Sequence, residues 1–590
     1  MEWCHTRCVR GGTNTIKDNY QMTDRREQWT AILFTALMVL SLVAIAGTGL
    51  AGSAAAADGI DTQAVDDETP ATIDPELEEA TGTEQVYIVL DQYEGDLSDD
   101  RDRAIAQLQE HAETSQASVT ASLDTMANVD VVNDYWITNA VRAEVDASEV
   151  DTAELASIEG VQSVELRPDY EVPEPEPSVE PAVEPDEDDY TYGLDQVNAS
   201  ETWADFNTQG ENVKVAVLDT GFDIDHQDLD LYTEDADDPT YPGGWVEIDE
   251  DGDPVEGSEP YDTHYHGTHV GGTVGAAAPA DDDTPAYGVA PNVDLQHGLV
   301  LPDGSGADSD TIAGFEYVVE EMDSDVVSMS FGAGCGLFGP VYEDAWIPAI
   351  QNANDMDVVT VTSSGNSGEG CVGSPANTYD SFSIGASNEA GDITDFSSGN
   401  TIEAHNWDNP DPEWPDEWIK PDVSAPGEDV LSAMPDDEYD YLSGTSMSAP
   451  HVSGVIALML SANDDLTQEE IEETLEETAW KPDGEPDEKD VRYGHGIVDA
   501  YAAVLEETAW KPDGEPDEKD VRYGHGIVDA YAAVDEVAAG ALEYELGDVD
   551  QDGDVTVQDV QLTQQYLQDM DPEPFAEDLA TATVRSRRTT

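Results

Sequence analysis

The chain has 590 residues, enough for about three or four domains at the usual size of roughly 150 residues each. Its 133 acidic residues against 20 Lys and Arg residues give a formal charge of -113, which argues against a nucleic-acid partner because such a surface repels phosphate. An acidic disordered chain would also explain this charge, but blocks of Val, Ile, Leu and Gly between residues 213 and 460 indicate a packed core. A cation-binding protein is a second alternative. We favour a solvated surface adapted to molar salt, where the Debye length falls to about 3 Å.

Residues 1–57 have the pattern of an N-terminal extension followed by a secretory signal peptide. Arg25 and Arg26 precede a long apolar run, Ala31 to Ala46, and small residues follow it. The twin arginines indicate the export route for folded proteins, whereas Gln28 occupies a position that is usually apolar there and leaves the route open. A retained membrane anchor is the alternative. The small residues favour cleavage, so we expect a secreted protein with no stable membrane span.

Residues 84–172 predict a compact α+β module. The predicted elements are a strand at 85–90, a helix at 102–126, strands at 131–137 and 140–145, a short helix near 153–158 and a strand at 161–166. Residues 173–189 are mostly proline and acidic residues, which is typical of an extended linker.

Three later stretches carry candidate chemistry. A buried strand that starts near Val213 delivers Asp219 into a glycine turn. His266 stands at the start of a small-residue helix. Ser446 lies in a Gly-Thr-Ser turn before an apolar run, so its hydroxyl is expected at a helix N-terminus, where the backbone favours developing negative charge. Serine is a weak nucleophile until a base takes its proton, and the histidine and aspartate supply that base and its orienting partner.

These stretches, in the chain order Asp, His, Ser, closely resemble those of subtilisin-type serine proteases, and the composition is similar to that of halolysins, their salt-adapted branch. The resemblance implies an α/β catalytic domain at 190–504, a three-layer fold with a central parallel sheet. It also implies that residues 84–172 are an inhibitory propeptide, which helps folding and blocks the cleft until it is cut. The expected partners are therefore protein or peptide substrates and the chain's own propeptide.

The same resemblance assigns further roles around the site. Asn366 ends a predicted strand and, with the backbone N–H of Ser446, would form the oxyanion hole, although a turn asparagine is the usual interpretation of an isolated Asn. The expected substrate-binding residues form two walls of the specificity pocket, namely Ser330, Phe331 and Gly332 on one side and Ser364 and Gly365 on the other.

Two cysteines follow these walls, Cys335 five residues after Ser330 and Cys371 five residues after Asn366. A disulfide between them would tie the two rims of the pocket together. Two buried free thiols are the alternative, because sequence alone does not show proximity.

Several neighbours of the proposed triad compete for its roles. His264, His266 and His269 have a spacing that a zinc cluster could use, but no set of carboxylates or cysteines accompanies them, so we favour His269 as a packed structural residue. Ser443 and Ser448 are interpreted as ordinary helix-turn serines.

Residues 475–504 recur letter for letter as residues 505–534. Repeat architectures diverge in sequence and need at least three copies, so this block indicates a recent tandem duplication or an assembly error. One copy is expected to close the catalytic domain, and the other is surplus.

Residues 547–572 carry an EF-hand-like spacing. Acidic residues at loop positions 1, 3, 5, 7 and 12, with Gly553 at position 6, would converge on calcium; they are Asp548, Asp550, Asp552, Asp554 and Asp559. The segment resembles one half of a dockerin, a short helical calcium-loop module, which implies a possible cohesin-like partner. Asp228 is a second candidate calcium ligand, by family position. Structural calcium is thus the expected cofactor.

The sequence therefore predicts a secreted, salt-adapted serine endopeptidase that acts through an Asp-His-Ser triad and an acyl-enzyme and is made as a self-processed zymogen. The alternative function is a surface or scaffold-attached binding protein that the calcium-binding module recruits to its partner.

Overall fold

The computed structural model describes residues 71–98, 100–172, 190–233, 243–279, 284–306, 310–336, 339–482, 484–486 and 488–507. The predicted signal segment, the linker at 173–189, almost all of the second repeat copy and the half-dockerin with its five aspartates lie outside these residues. Within the described part of the chain, no helix has both the length and the apolar character needed to cross a membrane.

The first folded module is a five-stranded sheet with the strand order β1-β5-β2-β4-β3. Its elements are β1 Thr72–Ile73, α1 Pro75–Glu79, β2 Thr83–Leu90, α2 Arg101–Leu123, β3 Val129–Tyr135, β4 Ala140–Asp146, α3 Thr152–Ala156 and β5 Val161–Leu166. The elements predicted from residue 85 onward all occur close to these bounds. The module begins at Thr72, before the expected boundary at residue 84, because the two-residue strand β1 pairs in parallel with β5 and is too short to leave a periodic signal.

The central feature of the larger module is a seven-stranded sheet with the order β16-β13-β12-β9-β6-β8-β7, in which every neighbouring pair is parallel. Its strands are β6 Lys214–Asp219, β7 Trp245–Glu247, β8 Asp294–Leu299, β9 Val326–Met329, β12 Val359–Ser363, β13 Phe382–Ser387 and β16 Val423–Pro426. Parallel sheets are covered on both faces, which explains why strands such as β6 and β13 are apolar or small along nearly their whole length.

Helices cover both faces of this sheet. They are α4 Tyr192–Gln196, α5 Ala199–Phe206, α6 His266–Gly275, α7 Thr311–Glu320, α8 Trp346–Asn354, α9 Thr445–Ala462, α10 Gln468–Thr478 and α11 Ala500–Glu507. Side chains of α6 and α9 belong to one core cluster, and those of α7 and α8 belong to the cluster of the opposite face. The predicted three-layer α/β fold with a central parallel sheet is therefore confirmed.

Short hairpins and single turns complete the larger module. They are β10 Cys335–Gly336 with β11 Gly339–Pro340, β14 Asn400–Glu403 with β15 Glu417–Lys420, β17 Val430–Met434 with β18 Glu438–Leu442, and the 3-10 turns Pro302–Gly304 and Ala404–Asn406.

The small module packs against α7 and α8, and their apolar side chains form one continuous cluster. Polar contacts cross the same interface. The Arg142 guanidinium lies 2.6 Å from the Asp310 carboxylate, and both side chains are fully buried. The Glu316 carboxylate accepts hydrogen bonds from the backbone N–H groups of Trp136 and Ile137 at 2.8 and 3.0 Å. Buried polar and charged groups are costly unless they are paired, so these contacts fix the orientation of the two modules.

The first copy of the repeated block packs into the larger module. Ile497 and Trp480 exchange backbone hydrogen bonds, and the Lys489 ammonium lies 2.8 Å from the Asp422 carboxylate, which also pairs with Lys420. Helix α11 ends the described chain at Glu507, three residues beyond the predicted domain boundary at 504.

Candidate active site

Asp219 and His266 meet at the carboxyl edge of the central sheet. Asp219 is the last residue of β6, and the imidazole Nδ1 of His266 lies 2.8 and 3.0 Å from its two carboxylate oxygens. Both side chains are fully buried. A carboxylate on Nδ1 fixes the imidazole so that Nε2 is free to accept a proton. Nε2 of His266 is buried and has no hydrogen-bond partner.

The helix that carries His266 is held by Asp262, a residue that the sequence reasoning missed. Its carboxylate accepts hydrogen bonds from the backbone N–H groups of His264 and Thr268, each at 2.9 Å, and from the Thr220 hydroxyl at 2.9 Å. An acidic residue at this place satisfies N-terminal backbone donors of the helix. The signal that could have found it is an aspartate four residues before the helix.

The turn after Asp219 requires glycine. Gly221 has φ +115°, and a Cβ at this position would overlap the carbonyl oxygen of Tyr261. The glycine therefore permits the close approach of the segment that leads into α6.

Ser446 lies in the first turn of α9, with a side chain that is almost fully buried. Its hydroxyl donates to the carbonyl oxygen of Ser330 at 3.3 Å. Ser330 directly follows Met329, which pairs with Leu218 next to Asp219. The structure thus brings the regions of Asp219, His266 and Ser446 to one edge of the sheet, with the serine hydroxyl directed at a backbone carbonyl.

Asn366 faces the start of the same helix. Its side-chain oxygen accepts hydrogen bonds from the Thr445 N–H at 2.9 Å and from the Thr445 hydroxyl at 3.0 Å. Its amide nitrogen Nδ2 is buried and has no hydrogen-bond partner. An unpaired amide donor next to the candidate nucleophile is the arrangement that oxyanion stabilisation requires.

An extended segment of the small module, Tyr170–Val172, runs through the neighbouring cleft as an added strand. Glu171 forms an antiparallel bridge to Gly332 on one side and to Ser305 on the other. The Val172 N–H donates to the Gly304 carbonyl at 3.0 Å, and the Gly306 N–H donates to the Tyr170 carbonyl at 2.9 Å. Gly332 was expected to contact substrate, whereas the Gly304–Gly306 wall was missed, although its Gly-Ser-Gly sequence after β8 was a visible signal.

The other predicted pocket residues, Phe331, Ser364 and Gly365, differ in what they contact. Phe331 is buried beside the cleft strand and packs edge-to-face on Tyr170. The Ser364 hydroxyl donates to the Ser398 carbonyl oxygen at 3.0 Å, and the Gly365 N–H donates to the Thr445 hydroxyl oxygen at 3.0 Å. Of these two positions, only Gly365 therefore contacts the turn before the nucleophile.

Cys335 and Cys371 are joined by a disulfide with a Cα–Cα distance of 6.1 Å. Cys335 lies shortly after Gly332 in the chain, and Cys371 lies shortly after Asn366. The disulfide therefore links the two segments that flank the cleft, in agreement with the hypothesis from their spacing.

His269, beside the candidate base, has the contacts of a packed structural residue. His269 Nε2 lies within hydrogen-bond distance of the Val430 and Asp440 carbonyl oxygens, and burial lowers its pKa to about 3. No group of three or more His, Cys, Asp or Glu side chains in the described residues is arranged to hold a metal ion. Within the described part of the chain, His264, His266 and His269 are therefore not arranged as such a group.

Asp228 is buried beside two tyrosines. One carboxylate oxygen accepts hydrogen bonds from the hydroxyls of Tyr439 at 2.5 Å and Tyr287 at 3.2 Å. Its other oxygen is buried without a partner. Calcium requires several converging oxygen ligands, and within the described residues no group of three or more His, Cys, Asp or Glu side chains includes Asp228, so its calcium role stays a prediction.

Comparisons with known proteins agree with this geometry. Residues 210–496 match the Subtilase family model. The chain is 32% identical over 437 residues to Bacillopeptidase F of Bacillus subtilis (strain 168). The aligned residues are 68% of this chain and only 28% of that relative.

Two relatives are covered over most of their length. The Major intracellular serine protease of Bacillus subtilis (strain 168) is 34% identical over 289 residues, which are 48% of this chain and 78% of the relative. Subtilisin of Bacillus pumilus is 31% identical over 317 residues, which are 53% of this chain and 98% of the relative. The chain belongs to the subtilase family of subtilisin-like serine endopeptidases.

Proposed function

We propose that the chain is the precursor of a secreted, salt-adapted endopeptidase that uses Ser446 as nucleophile, His266 as general base and Asp219 as the residue that orients the base. The observation that carries the proposal is the buried hydrogen bond between Asp219 and the His266 Nδ1, at the sheet edge where Ser446 lies in the first turn of a helix. Each of these residues alone has ordinary structural roles. Together they supply the three functions that acyl transfer by a serine requires.

The reaction proceeds in two steps. His266 Nε2 takes the Ser446 hydroxyl proton as Oγ attacks the scissile carbonyl, and Asp219 stabilises the resulting imidazolium. The Asn366 Nδ2 and the Ser446 backbone N–H donate to the oxyanion. The C–N bond then breaks, the amine leaves with the proton from His266, and a serine ester remains. In the second step His266 takes a proton from water as the water oxygen attacks the ester carbonyl. The bond to the Ser446 oxygen then breaks, the proton returns to that oxygen, and a free carboxylic acid leaves.

We further propose that residues up to 172 form an inhibitory propeptide. The support is the strand Tyr170–Val172 in the cleft, which occupies the position that a substrate backbone would take between Gly332 and Gly304. The interface with α7 and α8 would hold this strand in place. The acidic, proline-rich residues 173–189 offer an accessible place for the processing cut, and residues 1–57 would direct export.

Replacement of Ser446 by alanine tests the proposal. Loss of the nucleophile is expected to lower peptide turnover by about 10⁶-fold, a magnitude measured on subtilisin, and to leave the unprocessed precursor. Ser448→Ala is the matched control, because Ser448 lies one half-turn further along the same helix with a buried hydroxyl that has no partner. Undiminished hydrolysis and processing by the Ser446→Ala protein would refute the enzyme assignment. Recruitment by the half-dockerin remains a prediction about residues outside the described chain.

A further inference from the structure

The Tyr170 side chain occupies a buried aromatic pocket beside the cleft. It is fully buried, and its ring packs edge-to-face on Phe331 and Trp346, with ring centroids 5.8 and 6.3 Å apart. Trp346 itself begins helix α8 and packs on Phe315 at 5.5 Å. The pocket walls therefore belong to the larger module, and only the tyrosine comes from the cleft strand.

The pocket contains one polar contact with the phenol. The indole Nε1–H of Trp346 donates to the Tyr170 hydroxyl oxygen at 2.6 Å. An indole has a single donor, and Trp346 is fully buried with the small module in place, so a ring that occupies this pocket covers the indole N–H. A ring without a hydroxyl would fill most of the same space but would leave the indole N–H unpaired.

The backbone pairing fixes where this pocket lies relative to the nucleophile. Glu171 pairs antiparallel with Gly332, so a strand in this register would place the residue two positions after Glu171 opposite Ser330. The Ser330 carbonyl is 3.3 Å from the Ser446 hydroxyl. A substrate bound in the same register would therefore present its attacked carbonyl three residues after the residue in the aromatic pocket.

We propose that Trp346 is a specificity-determining residue that selects substrates with a tyrosine three residues before the attacked carbonyl, by recognising the phenol hydroxyl. This inference rests on the proposed function. Apolar contact alone distinguishes poorly between phenylalanine and tyrosine, whereas a buried donor that only tyrosine satisfies rejects the analogue that lacks the hydroxyl.

The test compares two fluorogenic peptides that are identical except for Tyr or Phe at this position, with leucine as the attacked residue. For the active, processed protein, kcat/KM is expected to be about 10-fold or more higher for the Tyr peptide, because the Phe peptide leaves one buried donor unpaired. In the Trp346→Phe variant the ratio is expected to fall to near one. Trp407→Phe is the matched control, since Trp407 is buried in a different cluster and its Nε1 has no hydrogen-bond partner, and it should keep the ratio of the unmodified protein.

The possible outcomes distinguish the selection for tyrosine, the assignment of that selection to Trp346, and the proposed function. Equal hydrolysis of both peptides by the unmodified protein overturns the selection and leaves the proposed function standing. A preference for Tyr that persists in Trp346→Phe overturns the assignment to Trp346. Failure to hydrolyse either peptide, or any other protein substrate, overturns the selection together with the proposed function. The comparison on the unmodified protein needs no variant, so a Trp346→Phe chain that does not fold leaves the selection testable.

Discussion

Asn366 and Thr445 are connected by two hydrogen bonds that use the side-chain oxygen of Asn366 and leave its amide nitrogen without a partner. The side-chain oxygen of Asn366 accepts from both the N–H and the hydroxyl of Thr445, the residue before the proposed nucleophile. This contact orients the amide so that Nδ2, buried and without a partner, stands beside the Ser446 helix terminus. Buried polar groups without partners are rare, and this one has the chemistry to bind a developing oxyanion.

Asn366→Ala is therefore expected to reduce kcat by about 100- to 1,000-fold with little change in KM, the magnitude measured for the equivalent donor of subtilisin. Asn366→Asp keeps an acceptor for Thr445 and removes the donor, so it should be as inactive as the alanine variant or more so. Steady-state kinetics on a peptide substrate measures both. Near-normal activity of Asn366→Asp would show that Asn366 only positions the turn.

The interface between the two modules is expected to weaken as the pH rises. Burial, which outweighs two backbone hydrogen bonds, raises the pKa of Glu316 to about 8, and burial also raises the pKa of Glu165 to about 7. Burial raises the pKa values of Glu343 and Asp344 as well. Carboxyl groups with raised pKa values bind protons in the packed state. Their contribution to the stability of the interface is therefore complete below their ordinary pKa near 4 and is lost as the pH rises through 7 to 8.

Dissociation of the small module from the processed protein should thus be faster at pH 8 than at pH 5, as measured by the recovery of peptidase activity. Glu316→Gln retains a carbonyl acceptor for Trp136 and Ile137 without a charge to neutralise, and it should flatten this pH dependence. An unchanged pH profile in Glu316→Gln, or tighter association at high pH, would contradict the account.

The duplicated block provides an internal control for folding. Lys489 pairs with Asp422 and contacts Glu476, whereas Lys519 occupies the same position of the identical second copy. Lys489→Ala should lower the free energy of unfolding by roughly 1–3 kcal/mol, because it removes one partner of a mostly buried carboxylate. Lys519→Ala should change it much less. Denaturant unfolding of the two variants measures the difference in their free energy of unfolding. Equal destabilisation would indicate that either copy can pack in the position described for the first.

Removal of salt is expected to abolish activity. A formal charge of -113 is tolerated where the Debye length is about 3 Å, near 1 M salt, but repulsion extends to about 30 Å at 0.01 M. Activity and the thermal midpoint should therefore both fall as salt is dialysed away. Full turnover in dilute buffer would show that the acidic surface serves another purpose.

The sequence predicted the parts of this protein that local patterns encode. The apolar run before Asp219 predicted β6, and the small-residue stretch after His266 predicted α6. The Tyr170 pocket and the two-residue strand β1 had no such pattern, because each depends on partners more than 80 residues away along the chain. Asp262 was hidden for another reason, since one carboxylate among 133 acidic residues does not stand out by composition.

Covalent labelling of the nucleophile tests the central claim most directly. Treatment of the processed protein with a serine-directed organophosphate, followed by peptide mapping, should find one adduct on Ser446, formed in proportion to the loss of peptidase activity. Prior replacement of His266 by alanine should suppress the adduct, since the hydroxyl then lacks its base. An active protein that carries the adduct on another serine, with the Ser446 peptide unmodified, would contradict the account.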